Sequence, residues 1–250
     1  MAVPVSVVIA ARDEAANIEG CIASVGWARE VIVVENDSSD DTVERARRAG
    51  ATVVSHPFTT IGAQRNIAIA RALCDWILVV DADERATPAL ADEIRAVLSR
   101  PDLLEAYRVP RRNFFLGREI RHGGWGDDRP IRLFRATLRY SASRVHEHVE
   151  TRGDVGDLKE SLEHTPYASL DDYFVKFDRY SSWWAEDRYE RGESANVWSV
   201  VVRPPARFIS MFLLRGGWLD GGAGAVLSSL AAASVMAKYA RLWARRLGRK

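Results

Sequence analysis

Two cysteines, Cys21 and Cys74, are all that a chain of 250 residues contains. Neither stands in a CxxC or other ligand-like spacing, so both read as small core residues, which fits a reducing compartment. The chain also lacks a dominant charge, since 35 Lys and Arg against 34 Asp and Glu leave a formal +1. That balance removes the electrostatic case for a nucleic-acid partner. Met1-Ala2-Val3-Pro4 carries no basic segment or cleavage site, and the apolar run to Ala11 is too short to span a bilayer, so the expectation is a chain that begins in the cytoplasm. No GxGxxG follows that run, which disfavours dinucleotide-dependent dehydrogenases. The histidines at 122, 146, 148 and 164 lack the paired spacing of a zinc centre.

Alternation is what the sequence does have. Val5 to Ala10 is a near-continuous β-branched and apolar run, the pattern of a strand buried on both faces of a parallel sheet. Ile18, Cys21, Ile22 and Val25 then recur at helical spacing, and Val31 to Val34 forms a second apolar run. Ser39 and Asp40 offer N-caps for a helix through Ala49 that Gly50 stops, and 52–55 reads as a third strand. A helix over 63–72, a strand over 76–80 and a Pro88-initiated helix to Ser99 complete the series. Such alternation predicts an α/β, doubly wound sheet, whose ligands bind at the carboxyl ends of the strands. Arg12-Asp13-Glu14, Glu35-Asn36-Asp37 and Asp81-Ala82-Asp83 all fall there. Past Pro101 the alternation ends, and the Gly-, Arg- and aromatic-rich stretch from Tyr107 to Glu150 predicts mixed, partly antiparallel strands. Leu170 to Trp184 carries a helical apolar stripe, read as packing.

Asp81 and Asp83, one small residue apart at a strand end, read either as two carboxylates that can share a hard cation with a diphosphate or as a solvated or helix-capping acidic turn. The segments SVVIAARDEAANIEGCIASV, VIVVENDSSDDT, GAQRNIAIARALCDWILVVDADE and GGWGDDRPIRLFR, in this order, resemble family 2 glycosyltransferases. The pattern is most similar to bacterial lipopolysaccharide core glucosyltransferases of the β-1,4 type, with Val145-His146-Glu147, Arg207-Phe208 and Trp218-Leu219-Asp220-Gly221 extending the likeness over nearly the whole chain. It departs from the family at Asp13, where Asn is usual, and at Glu35, where Asp is usual.

The resemblance implies a GT-A nucleotide-diphospho-sugar transferase fold, a doubly wound mixed sheet through about residue 150, with a C-terminal helical extension over 151–250. It implies a donor site bordered by Ala11, Arg12, Glu14, Glu35 and Asn36, with Gln64 and Arg65 approaching the base or phosphates. Asp81 and Ala82 would lie against the donor, with Asp81 near ribose and metal, Asp83 as the direct ligand of Mg²⁺ or Mn²⁺, and Arg132 on the diphosphate. Inverting transfer needs a carboxylate opposite the leaving group to deprotonate the acceptor hydroxyl. Asp128 holds the family's position, with Asp127 as the second assignment. His146 is either a metal or phosphate contact or a structural partner of Glu147, and Trp125 and Glu147 are acceptor-site candidates.

From Ala223 to Ala237 the chain is small and apolar, and from Lys238 to Lys250 it carries six basic residues and no acid. The apolar part is shorter than the ~20 residues of a spanning helix, so the expectation is a basic amphipathic tail on the inner leaflet. The implied activity is transfer of a hexose, glucose from UDP-glucose, to a glycan or glycolipid acceptor by a cytoplasmic, peripherally bound enzyme. A sugar nucleotidyltransferase would need a glycine- and lysine-rich phosphate loop after the first strand, and Ala10-Ala11-Arg12-Asp13 supplies none. A non-catalytic membrane scaffold with this fold would not need Asp81, Asp83 and Asp128.

Overall fold

A computed structural model describes residues 2–57, 59–141 and 147–247. In chain order its elements are β1 (Val3–Ala11), α1 (Ile18–Ser24), β2 (Ala28–Glu35), α2 (Thr42–Arg48), β3 (Thr52–Ser55), α3 (Ile61–Ile69), β4 (Trp76–Val79), β5 (Glu84–Ala86) and α4 (Pro88–Leu98). They continue with β6 (Ala106–Arg108), β7 (Arg111–Phe115), β8 (Arg118–Ile120), β9 (Ile131–Arg135), β10 (Val155–Asp157), β11 (Leu162–His164), α5 (Leu170–Glu190), α6 (Val197–Ile209) and α7 (Gly221–Leu247). A π-helical turn (Ser210–Leu214) and a 3-10 turn (Gly217–Asp220) join α6 to α7.

The contacts divide the chain into two compact units, Met1–Arg111 with Arg129–His164, and Arg112–Asp128 with Thr165–Lys250. They do not follow a single cut at residue 150. β10 runs parallel to β6 and β11 antiparallel to β5, which ties 155–164 to the first unit.

The first unit is built on a seven-stranded sheet in the order β10-β6-β9-β4-β1-β2-β3. β1 pairs in parallel with both β2 and β4, whereas β9 is antiparallel to both β4 and β6, so the sheet is mixed as expected. β1 shows why the apolar run is continuous. Val5, Val7 and Ile9 pack into one core with Ile18, Cys21, Leu90 and Ile94, while Val8 enters a second core with Ala68, Ile77 and Phe134. Each face thus takes alternate side chains, and full burial of each such residue contributes roughly 1.5–3 kcal/mol.

In the second unit β7 and β8 form a hairpin, and Phe115 and Ile120 pack with Tyr173 of α5, Met211 and Leu227 of α7. α7 is one unbroken helix of 27 residues. This corrects the expectation of an apolar stretch too short to span. The segments Val197–Leu214 and Gly217–Leu247 are each long and apolar enough to cross a membrane by length and composition.

Candidate functional site

The sheet order makes β4, β1 and β2 neighbours, so their carboxyl ends meet. Ala11 is in register with Glu35, and Val80 N–H donates to Val8 O, which carries Asp81 to the same edge. The loops after β1 and β2 are stitched to each other. Asp13 accepts from Ser39 N–H (2.7 Å), Glu14 N–H donates to the Thr42 hydroxyl (2.8 Å), and Ala15 N–H donates to Asp40 (3.1 Å). Asp13 and Asp37 both take positive φ, a backbone state that Asp tolerates better than most residues. Asp40 also accepts from Thr42 N–H at the start of α2, whereas Ser39, expected as a cap, is turned toward Asp13.

Several predicted donor residues lie at this edge. Arg12 is exposed, Glu14 accepts from Asn17, and Glu35 is buried with its carboxylate on Ser38 N–H. Asn36 and Gln64 are both buried and bonded to each other at 3.0 Å, and Asn36 Oδ1 is left without a protein partner. The Ala11 and Ala82 side chains belong to the core, so both residues offer the crevice backbone only.

Asp81 is the centre of a knot of arginines. Arg65 from α3 meets its Oδ1 at 2.5 Å, Arg132 from β9 meets its Oδ2 at 2.5 Å, and Arg111 stands 3.9 Å away. Glu84 lies beneath with no exposed surface, accepting from Asp81 N–H (2.9 Å), Arg132 (2.7 Å) and Arg111 (3.1 Å). Glu147 stands 3.5 Å from Arg65. Burial works against an ionised Asp81, but Arg132 and Arg65 outweigh it and hold the carboxyl well below the usual range. Burial likewise opposes charge on Arg132, and Asp81 and Glu84 more than offset it. Arg65, Asp81, Arg111, Arg132 and Glu147 line a cavity of about 310 Å³ with Tyr140 and His148. Arg65 Nε and Arg132 Nε are buried there without a hydrogen-bond partner.

Asp83 is set apart from this knot. Its Oδ2 stands 3.6 Å from Nε2 of His164, the β11 residue whose strand partner is Glu84. A carboxylate oxygen and an imidazole nitrogen are both donors that a divalent cation accepts, with its other positions left to substrate and water. Asp81, expected to share the ion, has both oxygens on guanidiniums. No group of three or more His, Cys, Asp or Glu able to hold a metal occurs among the described residues, and His146 lies outside them. Glu84 and Arg111 escaped the sequence reading, and His164 entered it only as a histidine without zinc-like spacing. Only Glu84 had a local signal, its place one residue beyond the DxD.

Cys21 is the core residue it was expected to be. Its thiol donates to Asp81 O at 3.4 Å, and burial raises its pKa far above that of a reactive cysteine.

Within the second unit, Trp125, Asp127 and Asp128 follow a loop that is firmly held. Asp220 accepts from Arg121 N–H (3.2 Å), His122 N–H (2.9 Å) and the His122 ring (3.0 Å), and Gly123 N–H donates to Arg215 O. Gly126 has room for no side chain, since a Cβ would stand 2.0 Å from Arg121 O. Trp125 packs on the Phe115 cluster and its carbonyl accepts from Asn113 (2.6 Å). Asp127 is exposed and Asp128 half-buried.

The sequence profile described as Glycosyl transferase family 2 matches residues 6–147. The lipopolysaccharide core biosynthesis glycosyltransferase LpsC of Rhizobium meliloti (strain 1021) is 27% identical over 95% of this chain and 93% of its own. An uncharacterized glycosyltransferase of Rickettsia bellii (strain RML369-C) is 30% identical over 95% of this chain and 85% of its own. Glucosyl-3-phosphoglycerate synthase from Mycobacterium tuberculosis, crystallised with Mn²⁺, UDP and glucosyl-3-phosphoglycerate, is 27% identical over 43% of this chain and 44% of that chain, at a TM-score of 0.39. The mixed doubly wound sheet, with its acidic strand ends and helical C-terminal extension, is the GT-A fold. The chain belongs to glycosyl transferase family 2.

Proposed function

We propose that this glycosyltransferase moves a hexose, glucose from UDP-glucose, with inversion onto a saccharide or lipid-linked saccharide such as lipopolysaccharide core. The observation that carries the reading is the Asp81 knot beside Asp83. Arg65, Arg111 and Arg132 face one cavity at the carboxyl end of β4, where a diphosphate would find bidentate donors. The full-length likeness to a protein named for lipopolysaccharide core biosynthesis supports the acceptor class.

Charge counting supports a divalent cation. Three arginines meet Asp81, Glu84 and Glu147, so these six groups are already balanced before a donor arrives. Mg²⁺ or Mn²⁺ held by Asp83 and His164 would supply the positive charge that steadies the departing diphosphate. Arg65 and Arg132 orient the phosphates, Asn36 and Gln64 border the nucleoside, and Asp128 takes the proton of the acceptor hydroxyl, with Asp127 as the other assignment. The enzyme works on the cytoplasmic side, bound peripherally to the inner leaflet where a lipid-linked acceptor is available.

The test is hydrolysis and transfer from UDP-, GDP- and dTDP-sugars with and without Mn²⁺. UDP-glucose turnover that falls at least 100-fold in Asp83→Ala and in Asp128→Asn is expected. Equal rates with all three nucleotides, or full activity in Asp128→Asn, would sink the assignment.

A further inference from the structure

α6 and the turns that follow it expose a continuous apolar row. Trp198 is 74% exposed, Val201 58%, Val202 53%, Ile209 46%, Leu213 55% and Leu214 79%. At 100° per residue, positions 198, 201, 202, 205 and 209 share one face, and Trp218 and Leu219 continue the row beyond the π turn. Arg203 and Arg207 fall on the other side of the same helix. A row of this size in water marks an interaction surface rather than scattered exposure.

The charges beside it state what it meets. From Val197 to Leu247 there are seven basic residues and one acid, Asp220, which is committed to Arg121 and His122. Arg241 and Arg245 pair with Asp178 and Glu186 of α5. Arg207, Arg215 and Lys238 form no ion pair among the described residues. Burial and Arg215 weaken the hold of Arg207 on its proton, and burial and Arg207 do the same to Lys238, so like charges are gathered without an anion between them.

We propose that the face formed by Trp198, Val202, Leu213 and Leu214 docks in the plane of an anionic phospholipid bilayer, which Arg207 near the end of α6, Arg215 and Lys238 of α7 attract by charge. This deepens the membrane part of the reading above and moves its seat from the basic tail to α6. Arg203, Arg207 and the Pro204-Pro205 pair in mid-segment disfavour crossing and suit a helix lying at the headgroup level. A second copy would set the same acid-poor surface against itself, and the cations would repel.

The full chain is floated with phosphatidylcholine vesicles and with vesicles containing about 30 mol% phosphatidylglycerol, at low and high salt. At least tenfold more protein should float with the anionic vesicles. Val202→Glu/Leu213→Glu should lose this binding, Arg207→Glu/Lys238→Glu should lose its lipid-charge and salt dependence, and Arg245→Glu/Arg246→Glu should stay within about twofold. No flotation of the wild type, equal flotation of Val202→Glu/Leu213→Glu, or an equal loss in the Arg245/Arg246 variant overturns the proposal. So does a concentration-dependent dimer that Val202→Glu/Leu213→Glu abolishes, since a second copy would then own the face. UDP-glucose hydrolysis in lipid-free buffer is measured for every variant. Failure of donor turnover leaves the flotation result standing, so the two readings fail separately.

Discussion

The two units place their unusual chemistry in opposite positions. The first buries charge, with Glu84 fully enclosed and Arg132 only 4% exposed in its side chain, at the end of a strand, β4, that is buried throughout. The second exposes apolar surface, with Leu214 at 79% and Trp198 at 74%, and its Arg207, Arg215 and Lys238 form no ion pair among the described residues. Each arrangement is costly in water alone. Buried ions need partners because desolvation is expensive, and exposed apolar rows need a cover because water disfavours them. The first unit contains its own partners, whereas the second leaves its cover to be supplied from outside. A change that removes an internal partner should therefore cost stability in the first unit, and a change to the apolar row of the second should leave stability nearly unchanged.

The largest effect is expected at Glu84. Glu84→Ala takes one carboxylate from Arg132 and Arg111 and frees Asp81 N–H, which should lower unfolding free energy by about 3–5 kcal/mol, the scale for breaking a buried pair. Val202→Glu, on the exposed row, should stay within about 0.5 kcal/mol. Urea unfolding of both variants checks the contrast, and similar losses would remove it. Next is His164→Ala. If His164 and Asp83 hold the cation, the Mn²⁺ concentration for half-maximal donor hydrolysis should rise about 10–100-fold with melting temperature held, the range for losing support at a metal site. An unchanged Mn²⁺ requirement would leave Asp83 without its partner.

Much of the first unit was legible because its signals are local. β3 runs over the predicted 52–55, and β1, β2 and β4 differ from expectation only at their ends, since β-branched runs buried on both faces admit few other readings. α3 begins two residues before the expected position because the Thr60 hydroxyl accepts from Ala63 N–H, a cap that the apolar pattern does not show. The knot itself was not legible. Arg65, Arg111 and Arg132 come from a helix and two different strands, and nothing in their spacing says which carboxylate they meet. Asp81 thus turned out to be held by arginines where the motif suggested a ligand shared with Asp83. In the second unit a helical extension was expected, but no local signal set the bounds of α6, which runs through Pro204-Pro205. Its apolar row became visible only once the helix was known to continue through it.

The second unit also contains one internal lock, at Asp220. Its carboxylate is 6% exposed and takes two backbone N–H groups and the His122 ring, holding the start of the loop that leads to Trp125, Asp127 and Asp128. Asp220→Ala should cost about 1.5–3 kcal/mol of stability, less than Glu84→Ala because water can reach His122. If the loop carries the acceptor-side base, kcat should fall about tenfold while KM for the donor is unchanged. A loss confined to donor KM would place the loop's effect elsewhere.

The smallest effect separates the units by acid. Asp81 and Glu119 both have depressed pKa values, for different reasons. At Asp81 burial is overcome by Arg132 and Arg65, whereas Glu119 is lowered to about 2 by hydrogen bonds from Arg112 and then Arg121, near the surface. A depressed carboxylate adds stability above its unfolded pKa and loses it as pH falls through the folded value. The Glu119 contribution should therefore fade between about pH 4.5 and 2, while that of Asp81 begins to fade below about 3.8 and persists past pH 2. Arg121 is 71% exposed in its side chain, so Glu119→Gln should cost no more than about 1 kcal/mol at neutral pH and nothing near pH 2. Urea midpoints of wild type and Glu119→Gln from pH 7 to 2 measure this directly. Curves that converge as pH falls show that Glu119 acts as a surface ion pair, and curves that stay parallel show that the substitution costs packing instead.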